Sequence, residues 1–162
     1  MTEPRAGRPD MPAYGIVAAD DGEGLLPWSW AEERLRDART YWVATVRADG
    51  APHVAPVWAL WFDGAVVFST SDASRKAANF TRDPRCVVTV EQGDDAVIAE
   101  GVVAEHDADR RSAYSADYAA KYDFDMDEIS DRLFAVVPQV VFGFIASDSR
   151  FSKTATRWTF TT

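Results

Sequence analysis

Three hydroxyl residues, Ser69, Thr70 and Ser71, close an apolar stretch that starts at Val66, and Ser74-Arg75-Lys76 follows within three residues. A helix that opens at Ser74 offers unpaired N–H groups and a partial positive charge. With hydroxyls and two cations beside it, that terminus can cradle a phosphate. Solvation of a basic helix start is the plainer reading of the same residues. Local charge marks the segment out within an acidic chain. The chain has 17 Lys and Arg against 26 Asp and Glu, a net charge of −9. From Ser71 to Arg85, by contrast, Arg75, Lys76, Arg82 and Arg85 face only Asp72 and Asp83. A second basic island, Arg150, Lys153 and Arg157 against Asp148, lies between Ser147 and Thr162.

Other catalytic chemistry finds little footing. The chain has no G-x-S-x-G, H-E-x-x-H or G-x-x-x-x-G-K-[ST] pattern. His53 and His106 lack an acid or thiol partner at a diagnostic spacing and read as structural or surface histidines. The single cysteine, Cys86, heads the apolar run Cys86-Val87-Val88-Thr89-Val90 and reads as a buried, inert thiol. One cysteine and two histidines leave no cysteine or histidine cluster for a metal, and no metal site is expected. Asp123, Asp125 and Asp127 have some of the spacing of a calcium loop, but the glycine is missing and the final glutamate misplaced, so a solvated acidic helix start is expected. If the chain is an enzyme, its reactivity comes from a cofactor, with no catalytic side chain expected.

The elements that must position the cradle follow from periodicity. Residues 1–13, with Pro4, Gly7, Pro9 and Pro12, read as a disordered leader, and 14–162 as one domain. Ser29 and Glu32 have capping-box spacing, which predicts a short amphipathic helix to Arg39. Thr40 to Arg47, His53 to Trp61 and Ala65 to Thr70 alternate as strands around Asp49-Gly50 and Asp63-Gly64, predicting an antiparallel meander. Ser71 to Arg82 reads as a helix stopped by Pro84. Arg85 to Glu91 and Ala96 to Glu105 read as a hairpin, and Asp107 to Lys121 as a helix. On that helix Tyr114, Tyr118 and Tyr122 form a stripe that reads as core-facing. Gln139 to Ala146 and Thr154 to Phe160 close the chain as strands. The result is mainly β, six or seven strands with peripheral helices, a small barrel. The acidic balance excludes a general nucleic-acid or anionic-membrane surface. No apolar run reaches the roughly 18 residues of a membrane span, and no apolar signal core is present, so a cytoplasmic protein is expected.

The succession of hairpins, then Phe68-Ser69-Thr70-Ser71-Asp72-Ala73-Ser74-Arg75-Lys76-Ala77-Ala78-Asn79, then Arg82-Asp83-Pro84-Arg85, resembles the pyridoxamine 5′-phosphate oxidase-like family. Pro56-Val57-Trp58-Ala59-Leu60-Trp61 and Ala155-Thr156-Arg157-Trp158-Thr159-Phe160 are similar to its actinobacterial branch, many of whose members are assigned to the deazaflavin F420. The resemblance runs from about Trp28 to Phe160. It implies a homodimeric antiparallel split β-barrel that binds F420, or alternatively FMN, and passes hydride to a small-molecule acceptor. It further implies that Arg75 and Lys76 grip the cofactor phosphate, with Ser69, Thr70 and Ser71 along the ribityl-phosphate path. Pro56, Val57 and Trp58 would lie against the ring, Asn79 would add a donor, and Arg157 and Trp158 would reach the neighbouring chain's site. Arg82, Arg85, Arg150 and Lys153 are the cations available to the polyglutamate tail of F420. No histidine follows His106, which speaks against vitamin B6 oxidation, and the low histidine count speaks against the haem-handling relatives. A non-catalytic protein that stores a flavin, F420 or a tetrapyrrole is the alternative.

Overall fold

A computed structural model describes residues 3–19, 22–126, 131–147 and 150–161. Nine antiparallel strands and peripheral helices make up the fold, against the six or seven strands expected. The strands are β1 (Arg5–Gly7), β2 (Tyr41–Val46), β3 (Pro52–Val57), β4 (Leu60–Phe62), β5 (Ala65–Thr70), β6 (Arg85–Val90), β7 (Asp95–Glu105), β8 (Arg132–Ile145) and β9 (Thr156–Thr159). The helices are α1 (Trp28–Asp37), α2 (Arg75–Arg82), α3 (Arg111–Tyr122) and the single turn α4 (Phe151–Thr154). Hydrogen bonding runs in the order β1-β9-β8-β7-β6-β2-β3, and β5 joins β8 beside β9 with β4 at its far edge.

Strand alternation sorts the residues cleanly. The row Trp158, Val141, Ala99, Val88 and Val43 crosses five strands in register, and each of these residues is at most 1% exposed. One residue along, the row Arg157, Phe142, Ile98, Thr89, Trp42 and Pro56 lies on the opposite face. That outer face carries Trp42, Val46 and Val54 at 41%, 40% and 58% exposure.

Several expectations are corrected. Within the leader, Arg5–Gly7 forms a strand on Thr159–Arg157, so this part is not disordered. The meander is broken: β3 pairs with β2 and β4 with β5, because the chain leaves the sheet at Trp58-Ala59. Tyr122 meets part of the backbone freed there: Ala59 N donates to Tyr122 Oη at 3.1 Å, and the one phenolic proton is shared between the Ala59 and Arg39 carbonyls, each 2.8 Å away. The Ser29–Glu32 capping box does not form; Pro27 is the N-cap, and Glu32 accepts from Trp61 Nε1 at 3.1 Å. The last long strand starts at Arg132, well before Gln139, and passes through Pro138. A bulge accommodates the proline, and Gly101 lies so close to it that a Cβ would come within 2.2 Å of the Val137 carbonyl. The tyrosine stripe does face a core: Tyr114, Tyr118 and Tyr122 pack with Leu60, Val67 and Leu133. Asp127 to Ser130, part of the expected acidic helix start, lie outside the described residues.

Candidate functional site

The segment from Thr70 to Lys76 is built as a hydroxyl-tied turn into a capped helix. Thr70 Oγ1 donates to Ser74 Oγ at 3.0 Å, and Ser74 Oγ accepts from Ala77 N at 3.2 Å, capping α2. Ser71 Oγ accepts from Ala73 N at 3.3 Å. These hydroxyls therefore shape the loop, and α2 begins at Arg75, four residues later than the expected start at Ser71. Ser69 is half-buried on β5.

What the turn presents is cationic. Among the described residues, neither Arg75 nor Lys76 makes a side-chain hydrogen bond or ion pair, and their backbone N–H groups, the first two of the helix, are also unbonded. The neighbouring cations are engaged. Arg85 chelates Asp83 through Nε and Nη2 at 2.9 and 2.7 Å, Arg132 binds Asp72 at 2.7 Å, and Arg82 donates to the Val46 carbonyl. Arg85 holds the Asp83 carboxyl down at about 2. Partial burial lowers the Lys76 amine below the ordinary lysine value, opposed by the nearby charge of Asp131. Arg82 and Arg85 are thus committed to local contacts, whereas Arg150, the N-cap of α4, and Lys153, within it, are exposed.

Asn79 does not face outward. It is 3% exposed, and its Nδ2 donates at 2.8 Å to Thr45 Oγ1, itself 3% exposed, which ties α2 to β2. Thr45 Oγ1 lies 3.3 Å from His53 Nδ1 on the paired strand β3. This histidine, which reads from sequence as structural or surface, is half-buried and joins the Asn79–Thr45 pair. Only its register opposite Thr45 reveals it, and register is invisible before the hairpin is aligned.

The ring-facing segment is mixed. Pro56 is exposed and Val57 buried, so Val57 offers backbone only. Trp58 is 44% exposed and lies flat on Tyr122, ring centroids 5.0 Å apart and 5° from parallel. The Arg39 guanidinium stands over both rings at 5.7 and 5.5 Å. This Trp58–Tyr122–Arg39 stack was not foreseen, because its members come from three separate elements. Arg157 and Trp158 part company: Arg157 lies on the outer sheet face, while Trp158 is fully buried against Trp28 and Trp30. Trp158 therefore cannot reach a neighbouring chain's site, since consecutive strand residues point to opposite faces.

Among the described residues no group of His, Cys, Asp and Glu could hold a metal ion. Cys86 is buried, and burial raises its thiol to about 12, which keeps it unreactive.

Residues 30–143 match the model of the pyridoxamine 5′-phosphate oxidase family, and the chain belongs to that family. Solved structures share the fold. The conserved hypothetical protein Rv2991 from Mycobacterium tuberculosis is 21% identical with a TM-score of 0.66, over 75% of this chain and 86% of that one. An F420 reductase is 23% identical with a TM-score of 0.57, over 68% and 94%. The heme storage protein HutZ from Vibrio cholerae is 20% identical with a TM-score of 0.57, over 72% and 90%. No curated protein matches the chain.

Proposed function

We propose that the protein is an oxidoreductase that binds F420, with FMN as the alternative, and transfers hydride between that cofactor and a small-molecule acceptor. The observation that carries the reading is the pair Arg75 and Lys76, which among the described residues make no side-chain hydrogen bond or ion pair at the N-terminus of α2 while Arg82, Arg85 and Arg132 are engaged. Two cations and two free N–H groups at one helix start fit a phosphate. The fold likeness to an F420 reductase supports the choice of cofactor. When bound, the cofactor supplies the hydride chemistry. Arg75 and Lys76 hold its phosphate, while Pro56 and Trp58 orient the ring. Tyr122 and Arg39 keep Trp58 flat, so that its exposed face is preset. The apolar outer face around Trp42, Val46 and Val54 supports a homodimer, in which Arg157, on the same face, approaches the partner's site.

The likeness to HutZ favours a second reading, a flavin or tetrapyrrole store without turnover. Titrating the protein with F420, FMN and haem, then assaying reduced cofactor against quinone and enone acceptors, separates the two. The proposed function predicts micromolar binding of F420 or FMN and many turnovers per site. Haem binding alone, or a single equivalent consumed, would contradict it. Among the described residues no helix is long and apolar enough to cross a membrane.

A further inference from the structure

Trp58 and Tyr122 stack with ring centroids 5.0 Å apart and 5° from parallel; Tyr122 is buried and Trp58 is 44% exposed, so the stack has one open indole face. The Arg39 guanidinium is nearly equidistant from the two rings, at 5.7 and 5.5 Å. A cation centred on the outer face of Trp58 would be much farther from Tyr122, so Arg39 flanks the stack and leaves that face uncovered. The backbone of Arg39 is pinned from both sides. Its N–H donates to Glu91 Oε1 at 3.0 Å, and its carbonyl lies 2.8 Å from Tyr122 Oη. Among the described residues its exposed guanidinium makes no hydrogen bond or ion pair. Glu91 does not neutralise it: the second oxygen of that carboxylate accepts from Thr40 N, so both oxygens serve backbone N–H groups. Lys121, 5.5 Å from the Tyr122 ring, is engaged by the Arg36 carbonyl at 2.8 Å. An exposed aromatic face with an unneutralised guanidinium beside it suits a planar group that carries negative charge.

We propose that Arg39 selects the cofactor by the charge of its ring: the guanidinium pairs with an anionic ring lying on Trp58 and so favours F420 over FMN. The proposal rests on the cofactor reading above, in which Trp58 orients the ring. The two oxidised rings differ in the property that this platform distinguishes. The deazaflavin of F420 carries a phenolic hydroxyl, ionised for the most part at neutral pH, and the charge spreads onto the ring carbonyls. FMN has a methyl group at that position, and its ring is neutral. A fixed cation beside the ring favours the ionised hydroxyl and lowers its pKa. By linkage, F420 binding tightens as pH rises from the bound value of the hydroxyl to its higher free value, and is level above that. Ionisation of the ring gives FMN binding no such slope. Other charges near the stack are Lys121 from α3, which acts with Arg39, and Glu91 and Asp37 from the ends of β6 and α1, which oppose it.

Absorbance of the bound deazaflavin reports its ionisation directly, without turnover. F420 and FMN are titrated into wild type, Arg39→Gln, Arg39→Lys and the exposed control Arg36→Ala, and bound F420 is then taken through a pH series. The expected wild-type result is a chromophore transition at least about 0.5 unit below that of free F420. Arg39→Gln should raise the bound transition by at least about 0.5 unit and weaken F420 binding at about pH 8 by roughly three- to tenfold. FMN binding should stay within about twofold of wild type, because the neutral ring gains little from the charge. Arg39→Lys, which keeps the cation, should retain most of the preference for F420, and Arg36→Ala all of it. An Arg39→Gln protein with the wild-type transition and the wild-type preference would overturn the proposal and leave the cofactor reading standing. Equal losses of F420 and FMN affinity in Arg39→Gln, with an unmoved transition, would overturn it too, since the arginine would then only support the stack. Wild type that binds neither cofactor would sink the cofactor reading itself, and this proposal with it.

Discussion

At the residue scale, burial decides which polar groups are free to act. Lys121 shows the opposite case to Arg75 and Lys76: its Nζ donates at 2.8 Å to the Arg36 carbonyl at the end of α1 and lies 3.3 Å from Tyr41 Oη. Burial pushes its amine down to about 8. Between that value and the ordinary lysine range near 10.5 the unfolded chain binds more protons than the folded one, so this group makes stability rise with pH. Below about 8 its contribution is a constant cost. Chemical denaturation of wild type and Lys121→Met at a series of pH values should show wild type gaining on the variant from about pH 8 to 10. Parallel curves would contradict the buried-amine account. Asn79 illustrates what sequence hid at this scale. Its helical spacing from Arg75 is right, but the face it shares is the one packed on β2, where Thr45 takes its donor.

At the element scale, short periodic signals were readable and long-range accommodations were not. The stop of α2 before Pro84, the β6–β7 hairpin and the tyrosine face of α3 follow from local pattern, and each is present. The unbroken β8 could not be read locally, because Pro138 is tolerated only by a bulge against Gly101, a residue on another strand. Likewise the end of β3 depends on Tyr122, far along the chain. Gly143 carries a similar cross-element demand: a Cβ there would come within 2.6 Å of the Trp158 ring and 2.9 Å of Trp30. Gly143→Ala should therefore destabilise by about 1–3 kcal/mol, through displacement of the tryptophan pair. Thermal melting with tryptophan fluorescence as the probe reads both effects. An unchanged melting temperature and spectrum would mean that α1 and β9 yield without strain.

At the scale of the whole molecule, one side of the sheet forms the core and the other leaves Trp42, Val46 and Val54 exposed. Covering that face in a two-fold dimer would bury them and bring Arg157 towards the second copy. Light scattering at micromolar concentration should give twice 17.9 kDa, and Trp42→Glu/Val54→Glu should return the protein to its single-chain mass. A single-chain mass for wild type would remove the dimer. The strands of the fold and the place of the Thr70–Lys76 turn were legible because alternation, tight turns and the Ser-Arg-Lys run are local features. The outer-face row was not, since it requires the register of six strands at once.

The central claim is that this fold holds a phosphate-bearing flavin or deazaflavin through Arg75 and Lys76. Equilibrium titration with F420 and with FMN, on wild type, Arg75→Ala/Lys76→Ala and the exposed control Arg36→Ala, tests it most directly. A charge-assisted hydrogen bond contributes roughly 1.5–3 kcal/mol, so the double variant should bind about 10²- to 10⁴-fold more weakly. Its melting temperature without cofactor should match wild type, because α2 keeps its Ser74 cap and loses no large apolar group. Arg36→Ala, which loses only an exposed pair with Glu32, should bind as wild type does. Equal cofactor affinity in all three proteins, or no binding of either cofactor to wild type, would contradict the account.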